Sequence, residues 1–512
     1  MIKDSLKKRY FYKLSTNVAG LFIGMVHQAI VPRWLGPKVY GDFSFLTNFF
    51  NQLLSFFDMG TSICFYTKLS QKPKEYKLVS FYGYFMGLVG VSILIFVIIA
   101  RLWGVYPILW PDQKLYYVYM AVFFALLTWV ASIINQITDA YGFTVAAEIG
   151  KLLQKVIGLV LIAALFLSTK LNLFTYFLYN YAVMFLLIVI FGLVIKKYDY
   201  EILKNSKLRL SEVKKYINEF YTYAHPLAVY SLFAMVTGIF DRWLLQIYGG
   251  SIQQGFYGFS LQLCALCFIF SGTMTPLFMR EFAIASQDNN IERMQALFKR
   301  QVPLFCAITA FLACFISVQA HKIVYLFGGA KYADAAAVIA ILSFFPIYQT
   351  YGQLSGSVFY VTGQTRLYRN IGIVFMLIGV PATYFLIAPI SMLGLNLGAK
   401  GLAIKTILMA VVAVNVQLYF NAKHLGFSFW RSLVQQTLSI LVLWILAFLV
   451  TFVGDNIFGL YYKFLVNFAL ELALYTLALL PLLYFWPKIF GIAENDMKIL
   501  FNMGIFKKRI KW

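Results

Sequence analysis

The residues best equipped to do chemistry are a few ionisable side chains set in apolar sequence. His27, Asp58, Lys151, Lys155, Lys405 and Glu471 lie within or near apolar runs, and Arg33, Asp241, Arg242, Arg280 and Glu281 stand at the ends of such runs. A charge in hydrocarbon is costly, so each is a functional candidate by default. Cations outnumber carboxylates in this set. A guanidinium fork donates parallel hydrogen bonds that match the oxygens of an anion such as phosphate. Arg33, Arg242, Lys405, Lys155 and Arg280 are therefore the candidate ligands for an anionic substrate. His27, Asp58 and Glu471 are the candidate carriers of a coupling proton or sodium ion. Each has a plainer use. Arginines at run ends snorkel to headgroups, His27 packs, Asp58 ahead of Met59-Gly60 breaks a helix, and Glu471 makes a structural polar contact. Lys405, roughly two turns inside its run, is harder to explain that way. Cys264 and Cys267 form a CxxC, but no second ligand pair accompanies it. Free apolar cysteines are expected, with no metal site.

The elements that must position these groups are membrane helices. Of 512 residues, 61% are hydrophobic and 12% charged, against about half and a quarter in soluble domains. Mean hydropathy is +0.76. A soluble enzyme, a disordered scaffold and a conventional nucleic-acid-binding protein are excluded, and no nucleic-acid partner is expected. About fourteen apolar runs of ~20 residues recur along the chain, each long enough to cross a bilayer. The first two fall near 14–34 and 41–66, the seventh and eighth near 217–241 and 255–279, and the last near 461–487. The expected fold is an all-α polytopic membrane protein. Net charge is +23, from 43 Lys+Arg against 20 Asp+Glu. With the N-terminus, even-numbered loops and C-terminus on one side, that side holds about 32 Lys+Arg and the other about 10, which predicts cytoplasmic termini. The basic segments 198–216 (with Lys204 and Lys207) and 488–512 (with Lys507, Lys508, Arg509 and Lys511) read as solvated or headgroup-facing. External loops are short, leaving no room for a catalytic domain of the kind a membrane polymerase carries. No GxxxxGK[ST] motif is present, so direct ATP coupling is not expected.

The chain also repeats itself. Arg33-Trp34-Leu35 and Tyr40-Gly41-Asp42-Phe43-Ser44 return as Arg242-Trp243-Leu244 and Tyr257-Gly258-Phe259-Ser260. Tyr141-Gly142-Phe143-Thr144 returns as Thr362-Gly363-Gln364-Thr365. The order and span positions predict two parallel six-helix repeats, forming two lobes around a central cleft. The expected division is 1–197 for the first lobe, 198–216 for a basic linker and 217–424 for the second lobe. Two additional helices follow in 425–487, and a basic tail in 488–512. Two facing bundles suit alternating access, so the expected class is a transporter rather than an enzyme.

The motifs carry a resemblance. Arg33-x-Leu35-Gly36-Pro37-x-x-Tyr40-Gly41, Asp58-x-Gly60, Asp241-Arg242-x-Leu244 and Gly255-x-Tyr257 come first. Leu326-Phe327-Gly328, Thr362-Gly363-Gln364 and Gly398-x-x-Gly401-x-Ala403 follow. In this order, over roughly residues 10–420, the chain resembles polysaccharide flippases of the Wzx type, in the multidrug/oligosaccharidyl-lipid/polysaccharide (MOP) exporter superfamily. The resemblance implies fourteen spans in a bacterial cytoplasmic membrane. It implies a polyprenyl-diphosphate-linked oligosaccharide as substrate, carried from inner to outer leaflet, with the lipid tail left in the bilayer beside helices 13 and 14. It implies membrane lipids, a polysaccharide polymerase and a chain-length regulator as partners. It implies no cofactor, and coupling to a proton or sodium gradient or to membrane potential. A cation-coupled drug antiporter of the same superfamily is the alternative, and a membrane polymerase or ligase a weaker one.

Overall fold

The computed structural model describes residues 6–72, 75–168, 170–203, 208–457 and 464–492. Lys3, Lys204, Lys207 and the tail from 493 onward, with its Lys507, Lys508, Arg509 and Lys511, lie outside the described residues. Among the described residues there are helices and no strand. The first half of the chain forms α1 (Leu6–Asp58), α2 (Thr61–Gln71), α3 (Tyr76–Leu102), α4 (Tyr106–Leu109), α5 (Leu115–Tyr141), α6 (Thr144–Leu167) and α7 (Leu173–Tyr198). Next come α8 (Leu210–Cys264), α9 (Phe268–Gln287), α10 (Ile291–Val318), α11 (Ala320–Phe327), α12 (Ala335–Leu342) and α13 (Phe345–Val361). The chain ends with α14 (Thr365–Ile387), α15 (Gly398–Leu425), α16 (Phe429–Ile457) and α17 (Phe464–Phe485).

Among the described residues, twelve helices are long and apolar enough to cross a membrane. Two of them are far too long for one crossing. Ser15–Asp58 has 44 residues and Leu227–Cys267 has 41, each about 60–65 Å if straight, against a hydrocarbon core of ~30 Å. Each is broken at a glycine in nearly the same conformation: Gly36 at φ 74°, ψ 168° and Gly250 at φ 67°, ψ −175°. Positive φ with extended ψ is essentially a glycine conformation. Contacts show that the chain reverses at both. Arg242 and Gly258 both meet Ser44, although sixteen residues of straight helix would hold them ~24 Å apart. Likewise Gln28 and Tyr40, twelve residues apart, pair through their side chains. The expectation of about fourteen runs therefore differs from twelve helices at the two places where one continuous helical stretch contains a reversal.

The second repeated motif also returns as backbone. Gly142 ends α5 and Gly363 follows α13, with φ of 86° and 72°. After each glycine the next amide bonds five residues back, Phe143 N to Thr138 O and Gln364 N to Phe359 O, both at 2.8 Å. This is the glycine C-cap in which two orphan carbonyls are satisfied before a new helix begins.

The chain divides into two compact units: residues 1–259 with 376–402, and 260–375 with 403–512. The first unit is centred on aromatics of α1, α4 and α7. Phe49 and Phe50 are buried around Trp110, whose ring stacks on Phe50 at 5.8 Å and meets Phe49 edge-on at 5.3 Å, and Phe177 of the same cluster packs on Phe43 at 5.1 Å. The second unit buries Phe278, Phe282 and Phe298 against Tyr351, Leu354 and Leu418. Small residues allow close approach where lipid gives no hydrophobic drive. In the first unit a Cβ on Gly41 would strike the backbone of Ser251, and one on Gly255 the backbone of Pro37.

Candidate functional site

Four residues of α1 spaced by seven, Lys13, Gly20, His27 and Trp34, lie on one helix face two turns apart. Each meets a partner in the first unit. Lys13 Nζ is 3.6 Å from Asp139 at the end of α5. Gly20 is covered by the Lys155 chain of α6, so that an added Cβ would sit 3.2 Å from both Cδ and Cε and closer still to the ammonium. His27 stacks on Tyr179 of α7 with centroids 5.9 Å apart. Trp34 meets Phe166 edge-on at 5.0 Å. From Lys13 to Trp34 is about 32 Å along the helix, the thickness of the hydrocarbon layer. The Lys155 amine is thus held about one third of the way across.

Between Gly20 and His27, on the same face, a Cβ on Gly24 would touch nothing within 4 Å. The seam is open there. Its surroundings are polar for a membrane interior. Glu148 of α6 is buried and takes Lys151 Nζ at 2.7 Å, so Lys151 is neutralised one turn from Lys155. Gln154 is buried, with its Nε2 3.4 Å from the Val183 carbonyl. The side-chain carbonyl of Gln28, one turn beyond Gly24, is buried without a hydrogen-bond partner among the described residues, as are those of Asn135 and Gln136 on α5, one turn before the Asp139 that meets Lys13. Buried acceptors without partners call for water or a ligand to complete them. The seam thus offers one ammonium without a carboxylate as close as the one on Lys151, plus several acceptors suited to hydroxyl groups.

The other candidates take different places. Arg33 is exposed and Arg242 is buried, although the repeat sets them in corresponding sequence. The reason is arm length. Arg33 stands three residues from its reversal and Arg242 eight, about 4.5 Å against about 12 Å along the helix. Arg242 NH2 donates to Ser44 Oγ at 2.5 Å, and its guanidinium lies 4.7 Å from the centre of the Tyr257 ring. Gln254 donates to the Arg242 carbonyl. The two copies of the motif thereby interlock: Arg242 and Gly258 on Ser44, Ser251 and Gly255 on Gly41, and Gly255 on Pro37. Arg242 is a fastener here, with NH1 left unpartnered among the described residues. Nearby Asp241 accepts from Thr383 Oγ1 at 2.6 Å.

Asp58, the last residue of α1, hydrogen-bonds the first turn of α2 from two positions ahead of its N-cap, Gly60. It accepts from the Ser62 amide at 3.0 Å, Ser62 Oγ at 2.8 Å, Thr61 Oγ1 at 3.2 Å and Tyr82 OH at 3.1 Å. Met59 (φ 41°) and Gly60 (φ 80°) make the turn that brings it there.

In the second unit Lys405 is buried on α15 and Arg280 is exposed on α9. Glu471 of α17 is fully buried. It pairs with Lys322 Nζ at 2.7 and 2.8 Å and accepts from Gln319. Lys322 also holds Asp455 at 2.5 Å, and Gly454 leaves the space Glu471 fills. The cluster ties α16 and α17 to α11, so Glu471 is a structural partner of Lys322. Sequence reasoning missed Lys322, which is not within an apolar run.

At the basic end of the first unit, Lys68 and Lys77 pair with Glu219 and Glu212 at the start of α8, at 2.5 and 2.6 Å. The Lys77 ammonium and the Arg209 amide hold the Glu212 carboxyl below its usual range. Burial and the neighbouring Glu75 push the Tyr216 hydroxyl up.

A sequence profile described as "Polysaccharide biosynthesis protein" matches residues 6–282, more than half of the chain and all of the seam. The chain belongs to this polysaccharide biosynthesis family. No curated protein matches it. Among solved structures, a lipid II flippase MurJ in an inward closed conformation is similar, with a TM-score of 0.65 and 12% identity over 93% of this chain and 98% of that one. An inward-facing multidrug resistance MATE transporter of the MOP superfamily gives 0.58 and 15% identity over 83% and 96%. A MOP superfamily transporter from Pyrococcus furiosus with a binding pocket of reverse polarity gives 0.53 and 15% over 83% and 97%. At these identities the likeness establishes the fold, that of MOP flippases and transporters. Among the described residues the chain is all-α, a multi-pass membrane protein with the fold of MOP flippases and transporters.

Proposed function

We propose that this protein is a flippase for a polyprenyl-diphosphate-linked oligosaccharide, moving its polar part between leaflets of a bacterial cytoplasmic membrane by alternating access. The observation that carries the reading is the seam of α1 and α6, where Lys155 lies a third of the way across the membrane beside an open stretch at Gly24. A diphosphate and sugars entering hydrocarbon would lose water without replacement. An ammonium and unpartnered amide carbonyls replace part of that hydration. The family match and the MOP fold support the same reading. Arg33, Arg242, Lys405 and Arg280 are further candidate substrate contacts, and His27, Asp58 and Glu471 are the candidates for proton coupling, the last two also holding structural partners. Cytoplasmic termini follow from the lysine and arginine bias, and inside-negative potential favours outward movement of an anion. A polymerase and a chain-length regulator would act on the delivered lipid.

The test is the leaflet position of the sugar-lipid after depletion of the protein. Intact and lysed spheroplasts are labelled with a membrane-impermeant glycan reagent. Flipping predicts accumulation of lipid-linked oligosaccharide that reacts only after lysis, with rescue by wild-type protein and not by Lys155→Gln. Normal outward exposure in depleted cells that hold no second flippase would overturn the proposal.

A further inference from the structure

A cavity in the first unit, of about 850 Å³, lies between α3, α5 and α7. Its wall is apolar except near Ser80 and Tyr84, and it includes Trp129 and Ile133 of α5. It exists because side chains are missing. Gly83 and Gly87 of α3 and Gly192 of α7 line it, and a Cβ on any of the three would meet nothing within 4 Å. Gly90, by contrast, is in ordinary contact with Leu126 at 3.4 Å. These three glycines therefore do not serve close helix packing. They hold a slot open in a membrane-embedded surface.

We propose that this groove is a binding site for one acyl chain of an anionic phospholipid, with its headgroup at Lys196. Length favours this occupant. The lining residues of α3 run from Val79 to Leu94, about 22 Å of helix, which is the depth of one leaflet with its interface. A long polyisoprenoid would overrun it. Charge supplies the headgroup. Ile188, Gly192 and Ile195 line the groove on α7, and exposed Lys196 continues the same face one turn beyond Gly192. Of the carboxylates at this end, Glu212 is paired with Lys77 at 2.6 Å, while Asp199 accepts from Tyr76 at 3.2 Å and Glu75 from Tyr216 at 2.8 Å. An exposed lysine at the end of a chain-sized slot selects a lipid phosphate of negative net charge. The site is separate from the α1 and α6 seam and does not depend on the substrate assigned there.

The experiment uses purified full-length protein, with retained phosphatidylglycerol and phosphatidylethanolamine counted by native mass spectrometry. Gly83→Leu/Gly87→Leu fills the slot and should lower retained phosphatidylglycerol at least fivefold. Gly24→Leu, at an equally open glycine on α1, should leave it unchanged. Lys196→Glu should abolish the preference for phosphatidylglycerol while chains still bind. Unchanged retention in the filled variant, or no preference between the two lipids in wild type, would overturn the proposal. So would stoichiometric displacement of phosphatidylglycerol by polyprenyl phosphate. If the filled variant does not fold, phosphatidylglycerol with brominated chains decides the matter through Trp129. Fluorescence quenching should be clearly smaller in Trp129→Phe than in wild type, and equal quenching would overturn the site.

Discussion

Gly20→Ala separates the chemistry of the seam from its packing. A methyl group at position 20 meets only the outer end of Lys155, with Cδ and Cε at 3.2 Å and the ammonium nearer. The three atoms nearest to it all belong to that flexible side chain, so the lysine swings away and the helices stay together. In an isolated helix, alanine for glycine gains about 0.5–1 kcal/mol. Stability should therefore hold or rise slightly. The ammonium must retreat by at least ~1 Å, enough to lose a charge-assisted contact to a diphosphate worth about 1.5–3 kcal/mol. That corresponds to a flipping rate at low substrate lowered roughly 10- to 150-fold. The assay pairs initial rates of flipping of a fluorescent lipid-linked oligosaccharide in vesicles with the melting temperature of the same preparation. Lys155→Gln should be at least as slow, and adding Gly20→Ala to it should cost nothing further, because the two changes act through one amine. Wild-type flipping by Gly20→Ala beside a dead Lys155→Gln would refute the placement of the amine. Wild-type flipping by both would refute the site.

The two reversals make a packing prediction. Gly41→Ala and Gly255→Ala should each destabilise by about 1–3 kcal/mol through overpacking. Together they should cost clearly less than the sum, since one separation of the backbones relieves both, as a denaturation cycle in detergent would read. Asp58→Ala should cost about 1–2 kcal/mol by removing the acceptor for the first turn of α2, and proton-gradient-dependent flipping should persist in the folded fraction; complete loss of coupling would give Asp58 the ion-carrying role. Glu471→Leu should destabilise by about 1–3 kcal/mol, because Gln319 loses its carboxylate acceptor and Lys322 keeps only Asp455. The double variant with Lys322→Met should recover part of that, as thermal unfolding would show.

Most of the architecture is written in apolar run length, because a bilayer demands one feature above all, a helix that satisfies its own backbone. The repeat is legible for a related reason. Gly142 and Gly363 mark places where the chain needs positive φ, and few residues tolerate it. Gly36 and Gly250 do the same, yet the motif around them misled on one point. Matching Arg33 to Arg242 assumed equal distances to the turn, and the five extra residues before Gly250 put one arginine at the surface and the other in the interior. The spacing of Lys13, Gly20, His27 and Trp34 was visible but carries no weight until something is known to face it. Lys322 was invisible as a partner of Glu471, because a buried pair separated by 149 positions leaves no local periodicity. The carboxylates were harder still. Asp58 among neutral hydroxyls and Glu471 beside an ammonium have the same composition signature, a lone acid near hydrocarbon, and only their neighbours distinguish a helix-end acceptor from an ion pair.

The interlock between the two reversals has a consequence in time. Ser44 leaves the ribosome 198 residues before Arg242, its fastener. At synthesis rates of about 5–20 residues per second this is a wait of roughly 10–40 s. Through that interval the first hairpin stands in the membrane with Pro37, Gly41 and Ser44 facing lipid or the insertion machinery instead of their counterparts. The first copy of the motif is thus a half-built joint for much of the protein's birth, and its completion coincides with the arrival of the second copy.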